Sequence, residues 1–328
     1  MRKFHNKKKK HHRHKARPKS RPKFQNNRPP RRQDENNDDE RRFLASTAIN
    51  PSPRIQLEKG STELTMRAMD LICPIGMGTR GLIVAPPGSG KTTFLKHICQ
   101  AVAQAYPKIK LYVLLIDERP EEVTDFRRSV EADVRWSSMD ETYEHHIQTA
   151  KELMKDVYRE ANAGADVVVV LDSLTRLARV HNADMRSSGR TLSGGVDAGA
   201  LAYPRKVFGS ARKVENGGSL TILASILVDT GSRMDQVIFE EFKGTGNMEI
   251  VLSREISNKR IFPAIDISKS GTRKEELLLA ENELKRVHLM RKVLSDLGAI
   301  ESAQTLVKQL QKYNTNEEFL SKIGEAIK

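Results

Sequence analysis

Ala85-Pro86-Pro87-Gly88-Ser89-Gly90-Lys91-Thr92 follows a short apolar run, Gly81 to Ala85 (GLIVA), and opens a helical pattern over Thr92 to Ala105. The octet matches GxxxxGK[ST] except that Ala85 stands where the first glycine is usual. Glycines let successive backbone N–H groups close around phosphate oxygens, and the dipole of the helix that follows adds to the attraction. In such a loop Lys91 reaches the β and γ phosphates, and the Thr92 hydroxyl ligates Mg²⁺. A chance glycine-rich turn would not also bring the strand before it, the helix after it and a complete GSGKTT tail.

Further along, three more runs read as buried strands: Leu111 to Ile116 (LYVLLI), Ala165 to Leu171 (ADVVVVL) and Leu220 to Leu227 (LTILASIL). Amphipathic helical patterns such as Tyr143 to Asn162 lie between them. Strands alternating with helices predict an α/β fold of the P-loop NTPase class, with a mainly parallel sheet flanked by helices. From about Lys274 to Lys328 the pattern is helical with short breaks, a C-terminal region that caps the domain. Asp172 ends a strand where ligands bind in an open α/β sheet, so it is the expected Mg²⁺-orienting partner. Leu111 to Ile116 runs into the acid-rich Asp117-Glu118-Arg119-Pro120-Glu121-Glu122. Glu118 is the candidate for polarising the attacking water, and Arg119 a candidate nucleotide contact.

Charge is distributed unevenly over the 328 residues. The net +14 resides almost wholly in the first 42, which hold 17 basic and 5 acidic residues. Residues 1–33 contain 15 Lys or Arg, no acid and almost no apolar side chains, and the acidic DENNDDE of Asp34 to Glu40 follows. Such a segment cannot bury enough surface to offset its ordering entropy. A disordered basic, His-rich tail is expected over 1–42, a linker over 43–60, and the P-loop ATPase domain over 61–328. The tail reads as a polyanion arm for nucleic acid with little sequence preference, its alternative being a solubilising tail without a dedicated partner. No apolar run reaches the roughly 18 to 20 residues of a membrane span, so a cytoplasmic protein without membrane contact is expected. Cys73 and Cys99 make no ligand pattern and read as small buried hydrophobes.

LTMRAMDLICPIGMGTRGLIVAPP, LLIDERPEEVTDFRR, LDSLTRLARVHN, SGGVDAGAL, GSRMDQVIFEEFKGTGNMEIVLSR and KRIFPAIDISKSGTRKEELL together resemble the Rho family of bacterial transcription termination factors. Members of that family are hexameric, ATP-dependent RNA helicases with RecA-like motor domains. The likeness runs from about Ser61 to Lys328. It implies ATP contacts at Gly76, Met77, Gly78, Thr79, Arg80 and Gly81, at Gly88, Ser89, Gly90, Lys91, Thr92 and Thr93, and at Arg119. Glu118 matches the catalytic glutamate, Asp172 the Mg²⁺-site aspartate, and Phe262 the aromatic that stacks on adenine. Arg273 falls on the arginine finger that reaches a neighbouring subunit's ATP, with Arg260 nearby in role. Ser187 to Gly195 (SSGRTLSGG), with Arg190 and Thr191, matches the first RNA-translocating loop. Asp229 to Met234 (DTGSRM) matches the second, and Arg233 stands where the family typically has lysine.

Two departures qualify the resemblance. The family usually carries an OB-type RNA-binding barrel ahead of the motor, and the basic, Pro-rich residues before Ser61 are not expected to form one. Gly88 also replaces a usual lysine, removing one phosphate cation. The implied activity is an RNA-dependent ATPase and helicase, using ATP and Mg²⁺, that forms a homohexameric ring. Its implied partners are single-stranded RNA and the transcription elongation complex with its RNA polymerase. The alternatives are a regulatory paralogue that joins or antagonises a full-length ring, a truncated start of a longer product, and a rotary ATPase subunit or RecA-type strand-exchange protein.

Overall fold

Five consecutive apolar residues, Val167 to Leu171, can be buried on both faces only inside a parallel sheet, and each is at most 2% exposed. The structure, a computed structural model, describes residues 1, 38–185, 193–197 and 199–325. Its first half runs α1 (Asp38–Ala45), β1 (Ala48–Ile49), β2 (Arg54–Ile55), α2 (Leu64–Ile72), β3 (Ile75–Gly76), β4 (Arg80–Ala85), α3 (Lys91–Ala105), β5 (Lys110–Glu118), α4 (Pro120–Ser129), β6 (Asp133–Ser138), α5 (Tyr143–Asn162) and β7 (Asp166–Asp172). Then come α6 (Leu174–Asp184), α7 (Ala202–Gly209), β8 (Arg212–Val214), β9 (Ser219–Leu227), α8 (Arg233–Phe242), β10 (Met248–Val251), α9 (Arg254–Asn258) and β11 (Gly271–Thr272). Helices α10 (Glu281–Ser295), α11 (Ala299–Leu310) and α12 (Asn316–Glu325) form the expected helical C-terminal region.

Strands β10, β4, β9, β7, β5 and β6 are parallel neighbours in that order. β11 adds to β10, β8 to β9 and β1 to β8, all antiparallel. Every apolar run expected as a strand lies in this sheet, and the two expected helices are α3 and α5. Helices α2, α3, α4 and α10 to α12 bury one face, and α1 with α5 to α8 the other. Cys73 and Cys99 are free and fully buried, in the hydrophobe role expected of them. Among the described residues no helix is long and apolar enough to cross a membrane.

The N-terminal boundaries differ from expectation. Residues 38–42, expected in the tail, belong to α1, whose first turn holds Asp38, Asp39 and Glu40 where the helix dipole favours acids. A single aromatic fixes this helix: Phe43 is 1% exposed and packs 5.7 Å from the Tyr158 ring. Asn162 Nδ2 donates to Asp39 O at 2.8 Å, and Lys206 pairs with Glu40 at 2.7 Å. Residues 43–60, expected as a linker, supply β1, β2 and the buried Ile55 and Leu57, so the described fold takes in both stretches from Asp38 onward. The rest of the tail, residues 2–37, lies outside the described residues.

Arg67 of α2 ties the C-terminal helices to that helix from a position only 4% exposed. Its Nη1 donates to the carbonyls of Leu310 at 2.8 Å and Tyr313 at 2.6 Å, and its Nε to Asn316 Oδ1 at 3.3 Å. Those acceptors terminate α11 and start α12, where backbone groups have no helical partner. Replacing Arg67 by alanine strands them in a dry site and is expected to destabilise the fold by about 3 kcal/mol. Urea unfolding of the two proteins measures this, and a difference under about 1 kcal/mol would show that water takes over the role.

Candidate nucleotide-binding site

Gly88 and Gly90 lie at φ 77° and 87°, the left-handed region that penalises a Cβ, so the loop between β4 and α3 needs glycine at both. The Ser89 hydroxyl donates to Pro86 O at 2.8 Å and closes the turn. From α9, Ser257 Oγ donates to Gly88 O at 2.7 Å, which ties the loop to the segment carrying Arg260 and Phe262. α3 then begins at Lys91.

Strand β9 lies between β4 and β7, so the loop lysine and Asp172 face each other across an intervening strand. Asp172 is 1% exposed; Ser225 Oγ of β9 donates to its Oδ1 at 2.7 Å, and Lys91 Nζ pairs with its Oδ2. Glu118, at the end of β5 and 3% exposed, has Oε2 3.9 Å from Lys91 Nζ and Oε1 3.1 Å from Arg176 Nη2. Burial, and then the Asp172 charge, push the Glu118 carboxyl above the ordinary glutamate range, while Arg176 and Lys91 pull it back. Ser173 caps α6 by accepting from Arg176 N at 3.2 Å, so the residue after Asp172 also fixes the arginine that holds Glu118.

Lys91, Glu118 and Arg176 line a cleft of about 310 Å³ together with Gly88, Gly90, Thr92, Thr93 and Arg119, and Asp172 is buried behind it, paired with Lys91. Thr92 Oγ1 lies 3.5 Å from Glu122 Oε2, and the exposed Arg119 pairs with Glu122 at 3.3 Å. Phe262, 47% exposed, has ring carbons 3.5 Å from where a Cβ on Gly90 would sit, at the mouth of the cleft. Arg260 is exposed two residues before it, its N–H donating to Ser257 O at 2.8 Å. Arg176, Glu122, Ser225 and Ser257 were not expected from sequence. Arg176 Nη1 is buried without a hydrogen-bond partner in the wall of the cleft, an arrangement that fits a phosphate oxygen.

Gly76, Met77, Gly78, Thr79, Arg80 and Gly81 do not join this cleft. They stand around the opposite end of β4, whose six residues separate its ends by about 16 Å. Packing explains the glycines: a Cβ would meet Pro51 backbone at 2.8 Å from Gly76, Lys213 N at 2.3 Å from Gly78, and Leu223 Cδ2 at 2.6 Å from Gly81. Thr79 is buried and accepts from Gly76 N at 3.0 Å. Gly78 and Arg80 instead line a second basin of about 570 Å³, together with Arg212, Arg273 and Lys274. Arg273 is therefore remote from this chain's own phosphate loop.

Arg233 opens α8, exposed, beside the Asp229 to Ser232 turn. Thr230 Oγ1 donates to the buried Asp235 at 2.6 Å, and Arg179 of α6 forks onto the same carboxylate. Gly194 sits so close to Arg233 that a Cβ would lie 2.8 Å from its carbonyl oxygen, so the described end of the first loop abuts the second. Arg190 and Thr191 lie outside the described residues.

A glycine-closed loop, a buried strand-end aspartate and a second carboxylate within reach of the loop lysine define a P-loop nucleotide-binding domain. The ATP synthase alpha/beta family, nucleotide-binding domain, matches residues 65–272. Transcription termination factor Rho of Haemophilus influenzae is 52% identical over 276 residues, which are 83% of this chain and 66% of that protein. Rho of Escherichia coli is 51% identical over the same shares. Rho of Karelsulcia muelleri is 48% identical over 281 residues, 86% of this chain and 74% of that one. The chain belongs to the transcription termination factor Rho family, and it spans about two thirds of the length of the first two relatives. Among solved structures, a prototypical ATPase from the type III secretion system of pathogenic bacteria superposes with a TM-score of 0.70 at 22% identity, covering 87% of both chains. The assembled ATPase EscN of enteropathogenic E. coli gives 0.67 at 20%, covering 87% of this chain and 75% of that one, a likeness of fold.

Proposed function

We propose that this chain is a Rho-type RNA-dependent ATPase and helicase that assembles into a hexameric ring in the cytoplasm. On this reading it threads single-stranded RNA through the ring and releases transcripts from RNA polymerase. The observation that carries it is the convergence of Lys91, Glu118 and Arg176 on one cleft, with the buried Asp172 paired to Lys91 behind it and Arg273 in a separate basin.

Lys91 and the loop N–H groups hold the phosphates of ATP, and Phe262 offers a face for adenine with Arg260 beside it. Glu118 takes the proton of the attacking water, a role that needs position more than a large shift in basicity. Arg176 holds that carboxylate with Nη2 and keeps Nη1 for a phosphate oxygen. The hard oxygens of Thr92 and Asp172 suit Mg²⁺, which when bound neutralises charge on the β and γ phosphates. Because Arg273 cannot reach its own chain's phosphate loop, its contribution is to the nucleotide of a neighbouring subunit, and the Gly78 to Arg80 wall would face that nucleotide too. The adjoining loops around Gly194 and Arg233 present their cation to RNA phosphates, and the basic tail adds a salt-sensitive tether. The intact carboxylate and cation set argues against a catalytically silent regulatory paralogue.

ATP hydrolysis by the purified chain, with and without poly(C), tests the reading. Strong stimulation by RNA is expected, and turnover indifferent to RNA would sink it. Arg273→Ala is expected to lower turnover by about 10³-fold while ATP affinity changes little. An equal loss of affinity would place Arg273 at its own chain's nucleotide instead.

A further inference from the structure

β5 does not reach Glu118 as a regular strand. Ile116 pairs with Ser137 of β6 and Glu118 with Ser138, so Asp117 and Glu118 together oppose one residue. The extra residue is a bulge, and Asp117 takes φ 56°, uncommon for a side chain other than glycine. Removing the bulge would slip Glu118 by one position and turn its carboxylate to the other face of the sheet. Something must hold β6 in the register that keeps the bulge in place.

In the last regular pair, Ser137 is wholly buried, and its hydroxyl oxygen lies 2.6 Å from Nδ1 of His145 and 2.7 Å from Nδ1 of His146. Both histidines stand in the first turn of α5, fixed there by Thr142: its Oγ1 accepts from His145 N at 3.2 Å and its carbonyl from His146 N at 3.1 Å. A hydroxyl carries one proton and two lone pairs, so it can accept from both rings or donate to one and accept from the other, and either way it bonds both histidines. His146 is 2% exposed, and burial holds its pKa below the usual histidine range, with Asp117 acting in the opposite sense. Beyond the cluster, Met139 N donates to Glu118 O at 3.0 Å, carrying the β6 register onto the backbone of Glu118 itself. An apolar residue at Ser137 would fill a strand position without needing two polar partners.

We propose that Ser137, His145 and His146 form a clamp that positions Glu118, locking β6 to α5 so that the bulge at Asp117 keeps the carboxylate aimed at Lys91 and Arg176. None of the three touches the nucleotide cleft. The inference rests on Glu118 activating the water, and the test separates the two ideas.

The full chain is assayed for RNA-stimulated ATP hydrolysis as His146→Leu, His146→Asn, Glu118→Gln and the His146→Leu/Glu118→Gln double variant, with binding of a non-hydrolysable ATP analogue measured for each. His146→Leu is expected to lower kcat by about 10-fold or more with KM unchanged, since a small misplacement of a reacting group is costly. Asparagine, which can present a nitrogen where Nδ1 lies, restores most of it. The double variant is no slower than Glu118→Gln alone, because the clamp acts through that carboxylate. Unchanged kcat in His146→Leu, or a double variant slowed by the product of the two single effects, would overturn the clamp while leaving Glu118 in its role. Full turnover by Glu118→Gln would overturn the role of Glu118 first. Should His146→Leu fail to fold, Ser137→Ala is read by the same measurements.

Discussion

Lys91→Ala is expected to reduce ATP turnover by at least about 10³-fold, roughly 4 kcal/mol of transition-state stabilisation. Two losses combine in it. The phosphates lose a cation in a loop whose residues from Pro86 to Gly90 carry no other charge. The carboxylates lose the charge between them: Asp172 and Glu118 are 1% and 3% exposed, and the Lys91 ammonium contacts the first and lies 3.9 Å from the second. Without it, Asp172 pushes Glu118 further toward its protonated form, so the acid limb of the residual pH profile should move to higher pH. Phosphate release across a pH series measures both effects. Turnover within a few-fold of the parent would mean that another cation serves the phosphates.

Glu118→Gln separates chemistry from binding. The amide keeps the shape of the side chain but cannot take a proton, so kcat is expected to fall by about 10³-fold while nucleotide affinity holds or improves. In the parent protein, burial and Asp172 raise the Glu118 carboxyl. A base with a raised pKa loses its ionised form at higher pH than an ordinary glutamate. Activity should therefore rise with pH along that limb, and the limb should vanish in the glutamine variant. A variant that keeps both its rate and its limb would assign the base to another residue, Glu122 being the nearest in the cleft.

What could be read in advance follows from how locally each feature is encoded. Val167 to Leu171 carries its burial in its own composition, and the GSGKTT tail carries its turn and its helix start, so the sheet and the phosphate loop were legible. β6, DVRWSS, was not: it is an edge strand, half exposed, and mixes charge with a tryptophan. α1 hid inside an acidic run because one residue, Phe43, does its packing. Arg176 sits in a stretch that reads as an amphipathic helix, and only the fold brings it to Glu118, 58 positions earlier in the chain. The glycines from Gly76 to Gly81 carried a second constraint that the sequence did not show: Pro51, Lys213 and Leu223 leave no room for a Cβ at Gly76, Gly78 and Gly81.

Strand β9 has a mechanical consequence. Its Ser225 touches Asp172, the partner of Lys91 in the cleft, and its end runs within six residues into Arg233 of the second loop. α6 makes the same journey alongside: it starts at the Ser173 cap, braces β9 through Leu227 N to Thr175 Oγ1 at 2.8 Å, and grips α8 through Arg179 and Asp235. Cleft and loop are thus joined by two struts with a crossbar, a truss rather than a hinge. Load placed on Arg233 by a strand under tension would be borne at the carboxylate beside the phosphates, and displacement there would be delivered to the loop with little slack.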